Sequence, residues 1–123
     1  MKILVTDDSK MARKMVIKTL RDVIGDNVEI LEAQDGQEAL NTYKEHLPKL
    51  VFMDLTMPIM DGFEALEKIK KFDKNAKVII VSADIQKLSM EKASQLGAFN
   101  FIKKPIDLEK MQQILKRINE LDN

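Results

Sequence analysis

Short apolar runs alternate along this chain with segments whose apolar residues recur every three or four positions. The runs are I-L-V (3–5), V-E-I-L (28–31), L-V-F-M (50–53), V-I-I-V (78–81) and A-F-N-F-I (98–102). Each has strand length. The first, third and fourth are apolar throughout, as strands covered on both faces should be, whereas Val28-Glu29-Ile30 alternates and predicts an edge. Met11, Ala12, Met15, Val16, Leu20 and Val23 mark a first helical stripe, and Ala39, Leu40, Tyr43 and Leu47 a second. Phe63, Leu66, Ile69 and Phe72 mark a third; Leu88, Ala93 and Leu96 mark a weaker fourth. The fifth is the clearest: Leu108, Met111, Ile114, Leu115, Ile118 and Leu121. Five β-α units in succession predict one α/β domain over residues 1–123, a parallel sheet with helices on both faces.

The predicted helix starts account for several acids. Asp35-Gly36-Gln37-Glu38 and Asp61-Gly62-Phe63-Glu64 both have the spacing of a capping box. Asp107 and Glu109 fall in the first turn of the last helix, where the dipole favours negative charge. Asp35, Asp61 and Asp107 are therefore expected to be structural. Asp7, Asp8 and Asp54 resist that reading. The first two follow a strand directly, ahead of a helix that Ser9 can cap, and M-P-I-M separates Asp54 from the next cap.

Composition narrows the chemistry. The chain has 123 residues, enough to remove roughly two-thirds of its unfolded surface from water. An apolar fraction of 45% and a charged fraction of 33% describe a globular protein with a conventional core. Twenty basic side chains balance 20 acidic ones, so no overall field draws the molecule to nucleic acid or an anionic membrane. No run approaches membrane-spanning or signal-peptide length, and cysteine is absent, which fits a reducing, cytoplasmic setting. The single His46 excludes a site built on two imidazoles and is expected to be a solvated helix-end residue. The eight methionines are expected to be core filler, with Met57 and Met60 packing a loop near the site.

A parallel sheet directs every strand C-terminus to one edge, and ligands sit there where the strand order reverses. In the flavodoxin-like order 2-1-3-4-5, borrowed from known doubly wound sheets, that edge collects Asp7, Asp8, Asp54, Ser82 and Lys104. Two carboxylates about 4 Å apart repel by roughly 4 kcal/mol at an effective dielectric near 20. Three stay ionised together only with help, and a hard cation such as Mg²⁺ supplies it through oxygen ligands. A carboxylate beside such an ion can attack phosphorus and become an aspartyl phosphate. Positive charge and hydrogen-bond donors around the phosphoryl oxygens, here Mg²⁺, Lys104 and Ser82, complete what the transfer needs. Ala83 keeps the adjoining space small.

D-D (7–8), D-x-x-M-P-x-M-D-G (54–62), V-S-A (81–83) and F-I-x-K-P (101–105), in this order and spacing, resemble the receiver domain of two-component response regulators, in particular the stand-alone chemotaxis (CheY-like) kind. The resemblance covers essentially the whole chain. It implies that Asp54 is the phosphoacceptor, that Asp8 binds Mg²⁺ directly and Asp7 through water, and that the Thr56 carbonyl is a further ligand. Ser82 and Lys104 would contact the phosphoryl oxygens. Phe101 would be the switch aromatic, packing inward when Ser82 moves, and the Lys104–Pro105 peptide would be cis. Output would pass through the face of the fourth helix, fifth strand and fifth helix. Phe101 stands where tyrosine is common and lacks its hydroxyl. Asp84, two residues beyond Ser82, either caps the fourth helix or lines the rim of the crevice.

The resemblance implies a signalling switch rather than an enzyme, with a histidine kinase as phosphodonor and a protein target, as a monomer or weak dimer. The fifth helix ends near the C-terminus, so no DNA-binding effector and no direct nucleic-acid contact are expected. A phosphorelay intermediate serving a histidine phosphotransfer protein, and a degenerate receiver that only binds partners, stay open. A haloacid-dehalogenase-type phosphatase would need an aspartate where Thr56 stands, and a flavodoxin would need a Ser/Thr-rich loop where D-D-S-K stands.

Overall fold

The computed structural model describes residues 1–83 and 86–122, with the side chains of 120–122 outside that description. Ten elements alternate: β1 (Lys2–Thr6), α1 (Lys10–Ile24), β2 (Glu29–Ala33), α2 (Gly36–His46), β3 (Leu50–Met53), α3 (Gly62–Phe72), β4 (Val78–Ser82), α4 (Lys87–Gln95), β5 (Asn100–Lys103) and α5 (Leu108–Asp122). The strands are parallel and ordered β2-β1-β3-β4-β5, the predicted order. Every residue of β3 and β4 is buried, and β2 is the partly exposed edge that its alternation predicts.

The pleat divides the core in two. Leu4, Val51, Met53, Val78 and Ile80 face α2, α3 and α4, packing against Leu40, Tyr43, Leu66, Ile69 and Ala93. Ile3, Val5, Phe52, Ile79, Val81 and Ile102 face the other way, onto Val16 and Leu20 of α1 and Met111, Ile114 and Ile118 of α5. Burying a Leu, Ile or Phe side chain in such layers stabilises by about 1.5–3 kcal/mol each before entropy is charged.

Three sequence expectations are corrected. β5 begins at Asn100, because the Ala98 N–H is drawn back to the Ala93 carbonyl to close α4 and ladder bonding starts from Phe99 N–H to Val78 O. β2 extends to Ala33, whose carbonyl accepts the Asp7 N–H. The methionines are not uniformly core: Met53, Met57, Met60 and Met111 are buried, whereas Met1, Met11, Met15 and Met90 are exposed, Met11 by 74%. Leu47, Phe72, Leu88 and Leu108 are likewise exposed, since each stripe turns out of the core at its ends. Asp84, with the two roles open to it, lies outside the described residues, and the Leu121 side chain outside the described side chains.

The acids set aside as structural do cap helices. Asp35 accepts from Glu38 N–H, Asp61 from Glu64 N–H and Asp107 from Lys110 N–H; Ser9 caps α1 through Ala12 N–H. His46 is the last residue of α2 and lies 3.3 Å from Lys2 Nζ. No helix among the described residues is long and apolar enough to cross a membrane.

Far from the sheet's C-terminal edge, Tyr43 ties α2 to the end of α3. Its hydroxyl donates to Asp73 Oδ2 at 2.7 Å, and its ring meets Phe72 edge-on. Burial, and then the Asp73 contact, raise the Tyr43 hydroxyl well above its ordinary range. The Tyr43 hydrogen bond, followed by that from Asn75 N–H, holds Asp73 below its ordinary value of 3.8. A carboxylate lowered on folding stabilises the native state above its unfolded value, and that contribution is lost as pH falls through the folded one. Tyr43→Phe is expected to cost about 1 kcal/mol at neutral pH by urea unfolding, with the difference from wild type closing below pH 3.8.

Candidate functional site

Strand pairing assembles the site. Thr6 sits opposite Met53, so the residues that follow, Asp7 and Asp54, leave adjacent strands side by side, and the Asp54 N–H bonds back to the Thr6 carbonyl at 3.0 Å. Asp7 and Asp54 are 4% and 8% exposed, whereas Asp8 is exposed. One oxygen from each of Asp7, Asp8 and Asp54 lies within 4.8 Å of the others. On the same edge, Lys104 Nζ reaches Asp7 Oδ2 at 2.6 Å and Asp54 Oδ2 at 3.5 Å.

The other oxygens of the buried pair are held by backbone. Asp7 Oδ1 accepts from Ser9 N–H at 2.9 Å, and Asp54 Oδ1 from Leu55 N–H at 2.9 Å. These bonds fix both carboxylate planes, and Asp8 has no side-chain hydrogen bond among the described residues. Burial raises the Asp54 carboxyl above its ordinary value, and the Asp7 charge raises it further; Lys104 and Leu55 N–H oppose the rise without cancelling it. Burial alone would lower Lys104, but its hydrogen bond to Asp7 and the Asp54 and Asp7 charges outweigh that and raise it, so its ammonium is firmly protonated. All ligand atoms of the acid cluster are oxygens, a donor set that suits a hard, oxygen-seeking cation of the Mg²⁺ kind.

The remaining predicted residues stand around this centre. Ser82 ends β4 and is buried; its carbonyl accepts the Lys104 N–H at 2.9 Å, joining β4 to the loop after β5. Ser82 also lines a cleft of about 230 Å³ with Leu55, Thr56, Met57, Asp61, Phe63 and Ser89. Thr56 is exposed on the β3–α3 loop. Phe101, on β5, is half-buried against the α2–α3–α4 core. The Lys104–Pro105 peptide is cis.

Two close approaches pin the β3–α3 loop. The Gly62 N–H bonds to the Leu55 carbonyl, and a Cβ on Gly62 would lie 2.1 Å from the Asp54 carbonyl oxygen. The Gly36 N–H bonds to the Met60 carbonyl, and a Cβ there would come within 2.3 Å of that oxygen. Only glycine allows either approach. Capping motifs flag these glycines, but not the contacts they make.

Arg13 also belongs to the site, though no sequence motif marks it. Its Nη1 donates to the Asp7 carbonyl at 2.7 Å and its Nε to Glu32 Oε1 at 2.9 Å. The sequence offers no signal for it, because its acidic partner lies on β2, 19 residues away.

Carboxylates converging with an ammonium at the reversal point of a 2-1-3-4-5 sheet describe a class, and comparison with known proteins identifies it. The response regulator receiver domain family matches residues 3–116, and the chain belongs to that family. Among its relatives, the chemotaxis protein CheY of Bacillus subtilis (strain 168) is 42% identical over 122 residues, covering 99% of this chain and 98% of that protein. CheY of Treponema pallidum (strain Nichols) is 43% identical over 122 residues, covering 94% and 83%. A crystal structure of the CheX-CheY-BeF3-Mg+2 complex from Borrelia burgdorferi contains a similar chain at a TM-score of 0.82 and 35% identity, covering 99% of this chain and 89% of that one. The chain is a receiver domain of the CheY type, a signalling switch.

Two outcomes follow from the geometry. Burial and the Asp7 charge raise Asp54, so stability falls as pH rises from the ordinary value of 3.8 through the higher folded one. Asp54→Asn should therefore be more stable than wild type by about 1 kcal/mol at pH 7 in EDTA, the gain vanishing in acid, as read from urea midpoints. Gly62→Ala should cost about 3 kcal/mol in the same assay, since its methyl meets backbone that cannot give way.

Proposed function

We propose that this receiver accepts a phosphoryl group from the phosphohistidine of a histidine kinase onto Asp54, in a Mg²⁺-dependent reaction, and that the phosphorylated form changes its binding to a protein target. The observation that carries the reading is the convergence of Asp7, Asp8 and Asp54 on one edge with Lys104 against two of them. Asp8, Asp7 (through water), Asp54 and the Thr56 carbonyl would hold the ion. Bound there, Mg²⁺ supplies positive charge that lets the acids ionise together and offsets the charge on the phosphoryl oxygens.

The chain's own groups do the rest. Asp54 is the nucleophile: a bond forms between one of its oxygens and phosphorus as the bond to the donor nitrogen breaks. The donor imidazole leaves neutral, its other nitrogen already carrying a proton. Lys104 keeps its proton throughout and offers its ammonium to the transferred group. The Ser82 hydroxyl donates to a phosphoryl oxygen. Movement of Ser82 toward that oxygen would make room beside it for Phe101, and β5 would carry the change to the face formed with α4 and α5. Attack of water on the acyl phosphate resets the switch.

The CheY relatives support a chemotaxis role, with a target on the flagellar motor or another protein of that pathway. Their kinship also supports a cytoplasmic setting.

The test uses acetyl phosphate as donor. With Mg²⁺, intact mass should show one added phosphoryl group, labile to hydroxylamine. Asp54→Asn and EDTA should each abolish it. Lys104→Ala should still be labelled but should lose the spectral change on phosphorylation. A wild-type protein left unlabelled beside a receiver that is labelled would sink the reading. Phosphate-dependent capture of a flagellar component would support the chemotaxis role, whereas transfer to a histidine phosphotransfer domain would replace it with a relay.

A further inference from the structure

We propose that Arg13 is a positioning residue for the metal-holding acids, setting the direction of Asp8; this rests on the reading of those acids as Mg²⁺ ligands. Of the three carboxylates, Asp7 and Asp54 are each fixed by a backbone N–H, while Asp8 is exposed and has no such bond among the described residues. What directs Asp8 is the peptide that precedes it. That peptide is planar, so fixing the Asp7 carbonyl fixes the Asp8 N–H and the position of the Asp8 Cα, the point from which its side chain departs. Arg13 Nη1 holds that carbonyl at 2.7 Å.

The guanidinium is itself held. Its side chain is only 12% exposed, Nε is bound to Glu32 Oε1, and the Arg13 N–H bonds to the Ser9 carbonyl at 3.0 Å in the first turn of α1. Three elements, α1, β2 and the loop after β1, thus meet at one planar group whose donors keep fixed relative directions. A lysine at this place would keep the charge and one bond, but could not span both partners in a fixed plane.

Charge and position make opposite predictions. Glu32 neutralises much of Arg13, yet removing any cation from the rim of an acidic cluster should favour a divalent ion. Loss of the carbonyl bond frees the Asp7–Asp8 peptide to tilt and should weaken binding. Groups that orient metal ligands typically matter by tenfold or more in affinity. The sign of the change therefore separates a positioning residue from a merely electrostatic one.

Mg²⁺ affinity of the full chain is measured by isothermal titration calorimetry, with urea unfolding in EDTA to establish that each variant is folded. Arg13→Met should bind about tenfold more weakly than wild type, with Arg13→Lys recovering part of the loss. Arg13→Met binding Mg²⁺ as tightly as wild type, or more tightly, overturns the proposal. If Arg13→Met does not fold, Arg13→Lys, which keeps the charge and loses the fixed planar span, decides: weaker binding than wild type supports the role and unchanged binding overturns it. Asp8→Asn is the control for the underlying reading. Wild-type binding that Asp8→Asn leaves intact, or no wild-type binding, removes the metal site itself; normal wild-type and weakened Asp8→Asn binding beside an unaffected Arg13→Met removes only the role of Arg13.

Discussion

Two buried carboxylates at the ends of neighbouring parallel strands repel each other, and one ammonium from a distant strand end holds them. That arrangement, Asp7 and Asp54 against Lys104, is the constraint on which the edge of the sheet depends. It follows from topology, because β1 and β3 run side by side in the same direction and must release their next residues together. A single lysine cannot balance two buried acids and an exposed third. Asp54 accordingly sits above its ordinary pKa, its charge disfavoured by burial and by Asp7. Such an edge is poised for a further positive charge, and the receiver chemistry proposed for it uses that incompleteness.

Rigid surroundings make the poise possible. β3 and β4 are buried along their whole length, so the strand ends carrying Asp54 and Ser82 are set on a packed floor. Gly36 and Gly62 clamp the β3–α3 loop where a methyl group would collide with backbone. Arg13 fastens the β1–α1 loop to β2. The contrast is with α4, which buries only Ala93 and whose N-cap residue, Gln86, makes no side-chain cap bond. The helix before β5 is thus the least anchored of those described, a property suited to the output role proposed for it.

Much of this was legible in the sequence, for physical reasons. Periodicity reports burial, and burial in a doubly wound sheet differs between strands covered on both faces and those at an edge; β3 and β4 announced themselves this way, and β2 as an edge. Capping is local chemistry, so Asp35, Asp61 and Asp107 could be assigned from spacing alone, leaving Asp7, Asp8 and Asp54 without a structural explanation. What misled was extrapolating a stripe to its ends. Met11, Phe72 and Leu88 have helical spacing but turn outward, since a helix lying across a sheet touches it over only part of its length.

The sequence by itself determined the alternation of elements, the leftover acids and the motif order, because those depend on neighbours a few residues apart. Only the tertiary structure decided that Lys104 contacts Asp7 across 97 residues, that Gly62 lies against the Asp54 carbonyl, and that Arg13 joins the Asp7 carbonyl to Glu32. Those contacts join groups remote in the chain, and their partners are selected by strand register and by the space left at one edge of the sheet. Neither quantity is written in any local stretch of residues.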